Sequence, residues 1–231
     1  MDAKSRLSKL LYSAVRPQCC LCQMQAQTSQ WPICQTCYAQ LPLFETGCSC
    51  CAMPLSDHDL VCGYCQATPS PIAQTKALGF YTHSMRDLVT RFKYHSDWVA
   101  GKALTQSWIH RCTVNDKPDC LVPVPMHRTK LAKRGFNQAT VIAHELGRAL
   151  GIPVDTHTCT RVQAGQSLTG QTRKERSLQI QDCYQIRQSE HQHIVLVDDV
   201  VTSQATSFTL ANQFIKLGAT RVDMWCLART P

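Results

Sequence analysis

From about residue 72 onward the apolar positions switch between two periods. Residues 72–81 read as a strand, 85–93 and 98–112 carry apolar residues at helical spacing, and 120–124 is an apolar run of strand length. Residues 137–150 read as a helix closed by Gly151. After it come residues 154–159, a long polar segment over 161–178, and a strand near Tyr184. An apolar strand over 193–197, a helix over 205–217 closed by Gly218, and a last strand over 221–227 complete the pattern. Phe208, Ala211, Phe214 and Ile215 recur at helical spacing and are assigned to the core. Strands alternating with helices predict an α/β fold built on a parallel sheet.

The first third of the chain has a different texture. Residues 19–67 are rich in Cys, Gln, Ser and Pro and poor in periodic apolar residues, so a fold there needs metal. Pro69-Ser70-Pro71 reads as a linker to a larger domain over 72–231. The 231 residues and 44% hydrophobic content suit a medium domain joined to a small one. Residues 1–18 carry Leu7, Leu10, Leu11 and Val15 at helical spacing beside Lys4, Arg6 and Lys9. This apolar stretch is short and interrupted, which favours a docking helix over a signal peptide. Nothing later reaches membrane-spanning length, so no membrane insertion and a cytoplasmic location are expected.

Four Cys-x-x-Cys pairs fall within the small domain: Cys19/Cys22, Cys34/Cys37, Cys48/Cys51 and Cys62/Cys65. The gaps between pairs are 11, 10 and 10 residues, the spacing of metal knuckles. Eight thiolates suit two tetrahedral Zn²⁺ ions in closed, structural sites, with consecutive pairs sharing a metal as in a double zinc ribbon. Interleaved pairing, and ligation by Cys20 or Cys50, are the alternatives. The remaining seven of the 15 cysteines lie outside the pairs, a distribution that fits reduced thiols better than a disulfide framework.

Metal changes the charge picture. The formal charge is +8, and two Zn(Cys)₄ centres would bring it to about +4, mildly basic. Positive charge concentrates at His127, Arg128, Lys130, Lys133 and Arg134 and again at Arg173, Lys174 and Arg176.

One segment carries chemistry more specifically than these clusters. The strand of Ile194, Val195, Leu196 and Val197 runs into Asp198 and Asp199, then into Thr202, Ser203, Gln204, Ala205 and Thr206 where a helix opens. Ligands of α/β sheets gather at the carboxyl ends of strands. Helix N–H groups and hydroxyls can cradle a phosphate while the carboxylates hold ribose hydroxyls or hydrated Mg²⁺.

This order of residues resembles the 5-phosphoribosyl 1-diphosphate (PRPP) motif of type I phosphoribosyltransferases. Leu121-Val-Pro123-Val-Pro125 and Arg134-Gly-Phe136-Asn137-Gln138 further resemble the signatures of the ComF/GntX-like family. The resemblance extends over about residues 19–230 and includes the cysteine pairs and Lys93-Tyr94-His95. It implies a parallel-sheet, type I phosphoribosyltransferase-like domain behind a small N-terminal zinc-ribbon module. It also implies a role in DNA uptake or in the use of external DNA. Two departures stand out: Gln204 occupies a position where the family usually has glycine, which permits positive φ, and Arg176-Ser177 replaces the family's Arg-x-x-Asn.

The resemblance assigns Asp198 and Asp199 to the catalytic wall beneath the sugar. PRPP contacts fall to Thr202, Ser203, Gln204, Ala205 and Thr206, with Lys93, Arg128, Lys133 and Arg134 as cations for the diphosphate, which arrives with Mg²⁺. A hood carrying Arg161, Gln166, Arg173 and Arg176 would close to exclude water. A second reading is a non-catalytic nucleotide-sensing module that binds single-stranded DNA, with Tyr94, Trp98 and Phe136 as stacking aromatics. In either case a helicase-like or single-strand-handling protein is an expected partner of the zinc module.

Overall fold

The computed structural model describes residues 17–55, 61–163 and 182–231. The expected N-terminal helix and the hood residues Gln166, Arg173 and Arg176 therefore lie outside the described residues. In chain order the elements are α1 (Gln35–Ala39), α2 (Gly63–Ala67), β1 (Thr75–Phe80), α3 (His83–His95) and α4 (Trp98–Arg111). They continue with β2 (Cys120–Pro123), α5 (Arg128–Arg134), α6 (Gln138–Leu150), β3 (Cys159–Arg161) and β4 (Tyr184–Ile186). The last three are β5 (His193–Val201), α7 (Ala205–Lys216) and β6 (Arg221–Arg229).

The parallel sheet expected from the alternation is present, with strand order β1-β6-β5-β2 and every pairing parallel. Its central strands read as continuous apolar runs because helices cover both faces. On one face Val195 and Val197 pack with Leu88 and Phe92 of α3, Leu104 and Trp108 of α4, and Ile142 and Leu146 of α6. On the other, Ile194 and Leu196 pack with Leu210 and Phe214 of α7. The chain thus leaves β2 toward one face through α6 and leaves β5 toward the other through α7. That reversal opens a crevice at the carboxyl ends of β2 and β5.

The strand over 193–197 extends further than its apolar run suggests, reaching Val201. The reason is unequal neighbours. Pairing with β2 ends at Pro123↔Val197, followed by one bond from Val124 N–H to the Val197 carbonyl, whereas β6 continues to pair as far as Val201↔Arg229. Asp198 and Asp199 therefore lie within the strand and, as neighbours in it, project to opposite faces. Helix α5 is an addition to the sequence reading. None of its residues is buried, so it leaves no apolar periodicity to detect.

The cysteine-rich module shares the core of the sheet domain. Ile33, Tyr38 and Leu41 are buried in one cluster with Leu78, Phe92 and Trp108. Trp31 Nε1–H donates to Ser107 Oγ at 3.0 Å, and Arg91 donates to the Cys20 carbonyl at 2.8 Å. Residues 42–44 also cover the β1 edge: Phe44 N–H bonds the Leu78 carbonyl at 3.0 Å, and Phe80 N–H bonds that of Pro42 at 2.8 Å.

Candidate functional site

At the crevice the loop after β5 turns directly into α7. Gln204 is the N-cap residue, with φ 58 and ψ 6, so the position that favours glycine does adopt positive φ here. No side chain caps α7 and its first turn carries no acidic residue, which leaves the N-terminal N–H groups and the helix dipole available to an anion. Asp198, Thr202, Ser203, Gln204, Ala205, Thr206 and Ser207 line a small cleft of about 60 Å³ there. Burial, and then the charge of Asp199, push the Asp198 carboxyl up to about 7. One of its oxygens accepts the Asp199 N–H at 2.8 Å.

Asp199 faces the other way. Its carboxylate, with the side chain 8% exposed, meets Lys93 Nζ of α3 at 2.9 Å. Burial opposes the charge on Lys93, but the Asp199 carboxylate outweighs it and raises the lysine pKa. The two carboxylates thus differ in setting, one lining the small cleft and one paired with the half-buried Lys93.

A larger cleft of about 560 Å³ lies between the turn after β2 and the β3–β4 ribbon. Its lining includes His127, Arg128, Arg161, Arg187, Asn137 and Thr160, and no Asp or Glu among the described residues. Asn137 shapes its floor: Oδ1 caps α6 by accepting from Ala139 N–H at 3.1 Å, and Nδ2 donates to the Val124 carbonyl at 3.0 Å. The ribbon itself is short, with Cys159↔Ile186 and Arg161↔Tyr184 in register, and the Arg161 guanidinium lies over the Tyr184 ring at 5.4 Å.

Two four-cysteine groups complete the inventory. Cys19, Cys22, Cys34 and Cys37 bring their Sγ atoms within 4.8 Å of one another, as do Cys48, Cys51, Cys62 and Cys65. Cys22 and Cys34 stand 3.7 Å apart, and Cys51 and Cys62 3.6 Å. A tetrahedron with Zn–S near 2.3 Å has S–S edges of about 3.8 Å, so both groups fit zinc. Consecutive pairs share each site. Burial opposes ionisation of Cys19, but backbone N–H groups outweigh it and hold that thiol at about 6, and the same balance holds Cys48 at about 7. Cys20 and Cys50 lie outside both quartets. Burial, followed by the neighbouring Cys19, pushes Cys20 up to about 12.

No protein-family model matches the chain. Among curated proteins it is similar to the DNA utilization protein YhgH of Salmonella typhimurium, at 30% identity over 219 residues covering 92% of this chain and 96% of that one. This chain belongs to the YhgH family. The Competence protein F of Haemophilus influenzae is 25% identical over 224 residues, covering 92% of this chain and 96% of that protein. The Competence protein ComFC of Bacillus subtilis is also 25% identical, over 236 residues covering 92% and 95%. Among solved structures, a purine phosphoribosyltransferase from Pyrococcus horikoshii overlays at a TM-score of 0.32, with 17% identity over 67% of this chain and 77% of that one.

In this YhgH-family chain the residues singled out from sequence separate into groups. Asp198 and Thr202 to Thr206 share the small cleft, and Arg128 and Arg161 share the large one. Lys93 is engaged by Asp199. Lys133 and Arg134 line neither cleft; Arg134 donates to Gln138 Oε1 at 2.8 Å and lies 5.1 Å above the Tyr94 ring. His127, Asn137, Thr160 and Arg187 are additional lining residues. Asn137, inside the Arg-Gly-Phe-Asn-Gln signature, and His127, in the basic cluster, carried a sequence signal; Arg187 is a single basic residue beyond the polar segment, and nothing local marks it.

Proposed function

We propose that this chain binds PRPP with Mg²⁺ in the crevice between β2 and β5 and serves DNA utilisation or competence, the roles its relatives' names carry. The observation that supports this most directly is the pairing of an uncapped, acid-free helix N-terminus with a carboxylate, Asp198, in one small cleft. A phosphorylated sugar presents to such a cleft a terminal phosphate for the N–H groups and hydroxyls for the carboxylate. The neighbouring cleft, with its three arginines and no carboxylate among the described residues, suits the diphosphate. Mg²⁺ would neutralise the diphosphate, and Asp198 would be the carboxylate to meet it, since Asp199 already holds Lys93. Calorimetric titration of the zinc-loaded protein with Mg²⁺ and PRPP tests the reading. Saturable binding that disappears in the Asp198→Asn/Asp199→Asn double variant supports it and justifies a screen of nucleobases for diphosphate release. Absence of binding by the folded wild type removes it.

A second reading, a single-stranded-DNA adaptor, draws on a different surface. Trp98, 52% exposed, packs against Phe136 with ring centroids 4.4 Å apart and planes tilted by 38°, and Tyr94, 64% exposed, lies under the Arg134 guanidinium. Exposed aromatics beside cations are a stacking platform for unpaired bases. Fluorescence titration with an oligonucleotide checks it: Trp98→Ala weakens binding at constant salt, and equal affinity of variant and wild type overturns this surface.

A further inference from the structure

The phosphate loop and the second metal centre are wired together. Gln204 holds its left-handed backbone and is buried, 6% exposed. The side-chain amide donates to the carbonyl of Cys50 at 3.4 Å and to Thr75 Oγ1 at 3.3 Å. Thr75 in turn donates its hydroxyl to the same Cys50 carbonyl at 2.6 Å and its N–H to the Ser49 carbonyl at 2.7 Å. A third link is independent of Gln204: buried Arg229 donates Nε–H to the Cys51 carbonyl at 3.0 Å and another N–H to the Val201 carbonyl at 3.4 Å, one residue before the loop. Three consecutive carbonyls, all within the turn that joins Cys48 to Cys51, are therefore held by groups at or beside the loop.

We propose that Gln204 is a positioning residue through which the Cys48/Cys51/Cys62/Cys65 metal centre holds the 202–206 loop in its anion-binding form. One ion shared by Cys48 and Cys51 would add a restraint to the knuckle turn, beside its own bond from Ala52 N–H to the Cys48 carbonyl at 2.7 Å. With the turn formed, the Cys50 carbonyl meets the Gln204 amide, and this contact helps secure a left-handed conformation that is unfavourable for a non-glycine residue. Glycine at this position would adopt the same φ without any link to the metal. The chain thus exchanges an intrinsically permissive residue for one whose conformation depends on the zinc module. Because coupling is reciprocal, a ligand in the loop must also strengthen metal retention at the second centre. The ligand half of this inference rests on the PRPP reading; the link between loop and metal does not.

The test is zinc release to a coloured chelator, with two zincs per chain resolved as two phases. The phase belonging to the second centre is identified by its absence in Cys65→Ser. In ligand-free protein, Gln204→Gly and the near-isosteric Gln204→Glu, which removes the donor, accelerate that phase by about fivefold or more. Release from the Cys19 centre stays unchanged and reports that each variant is folded. Mg²⁺–PRPP slows the second phase in wild type and leaves it unchanged in both variants. Equal second-phase rates in wild type and variants without ligand overturn the link. Failure of PRPP to bind wild type in calorimetry removes the ligand reading and leaves the ligand-free rates to decide the link. Binding of PRPP with no slowing in wild type overturns the coupling while sparing the site.

Discussion

Two adjacent carboxylates in one strand acquire opposite characters from what each faces. Asp198 has its carboxyl raised to about 7, first by desolvation and then by Asp199. In the unfolded chain it would ionise near 4, so as pH rises from 4 to 7 the unfolded state loses its proton before the folded state does, and stability falls. Asp198→Asn removes that cost. The variant is expected to be more stable than wild type by about 2 kcal/mol at pH 8.5, with the gain shrinking as pH falls toward 5. Urea unfolding of the zinc-loaded proteins at both pH values measures it, and a pH-independent difference would count against the assignment. Asp199 instead pairs with Lys93 at 2.9 Å. Lys93→Met leaves a buried carboxylate without a cation and should cost about 3 kcal/mol, whereas Lys93→Met/Asp199→Leu should recover most of it. A double-mutant cycle that shows additive losses would break the pairing.

At the level of elements, the zinc module is joined to the sheet by backbone contacts that tolerate little intrusion. Gly79 in β1 lies opposite residues 42–44, where a Cβ would come within 2.2 Å of the Pro42 carbonyl oxygen. That neighbour is backbone, so relief requires moving the whole segment off the strand edge. Gly79→Ala is therefore expected to destabilise the protein by about 2–3 kcal/mol. It should also raise the hydrogen exchange of Phe44 and Phe80 N–H, whose bonds cross that edge. Unchanged exchange at those two amides would show that the edge contact holds nothing in place. The same contact explains why a cysteine-rich ribbon with few periodic apolar residues remains ordered. It borrows the core of its neighbour through Ile33, Tyr38 and Leu41, and its two cysteine quartets fit structural zinc.

For the whole molecule, a formal charge of +8 matters less than where the cations have no acidic partner. Arg91 and Arg221 are spent on Asp97 and Asp223, while Arg128 and Arg187 line the large cleft with no carboxylate among its described residues. Such a wall attracts polyanions and does little for stability. Arg128→Gln/Arg187→Gln is expected to weaken binding of inorganic diphosphate by about tenfold and to flatten its dependence on salt, with the midpoint of thermal unfolding essentially unchanged. Equal diphosphate affinity in the variant would place the anion elsewhere. No helix among the described residues is long and apolar enough to cross a membrane.

Local sequence determined what local physics can encode. The parallel sheet follows from apolar runs alternating with helical spacing, and the metal quartets follow from Cys-x-x-Cys pairs, because a two-residue gap lets both thiolates reach one ion. The motif from Asp198 to Thr206 was readable because strand, carboxylates and helix start are contiguous in the chain. Tertiary structure alone decided the rest. It sent Asp198 and Asp199 to opposite faces, since β6 outlasts β2 as a partner for β5. It assembled the arginine cleft from a turn and a ribbon more than thirty residues apart in sequence. It also turned Gln204, which in the sequence is only a missing glycine, into a bond with the Cys50 carbonyl 154 positions away. Contacts across such separations leave no periodic trace along a chain, so they become visible only once the chain has folded.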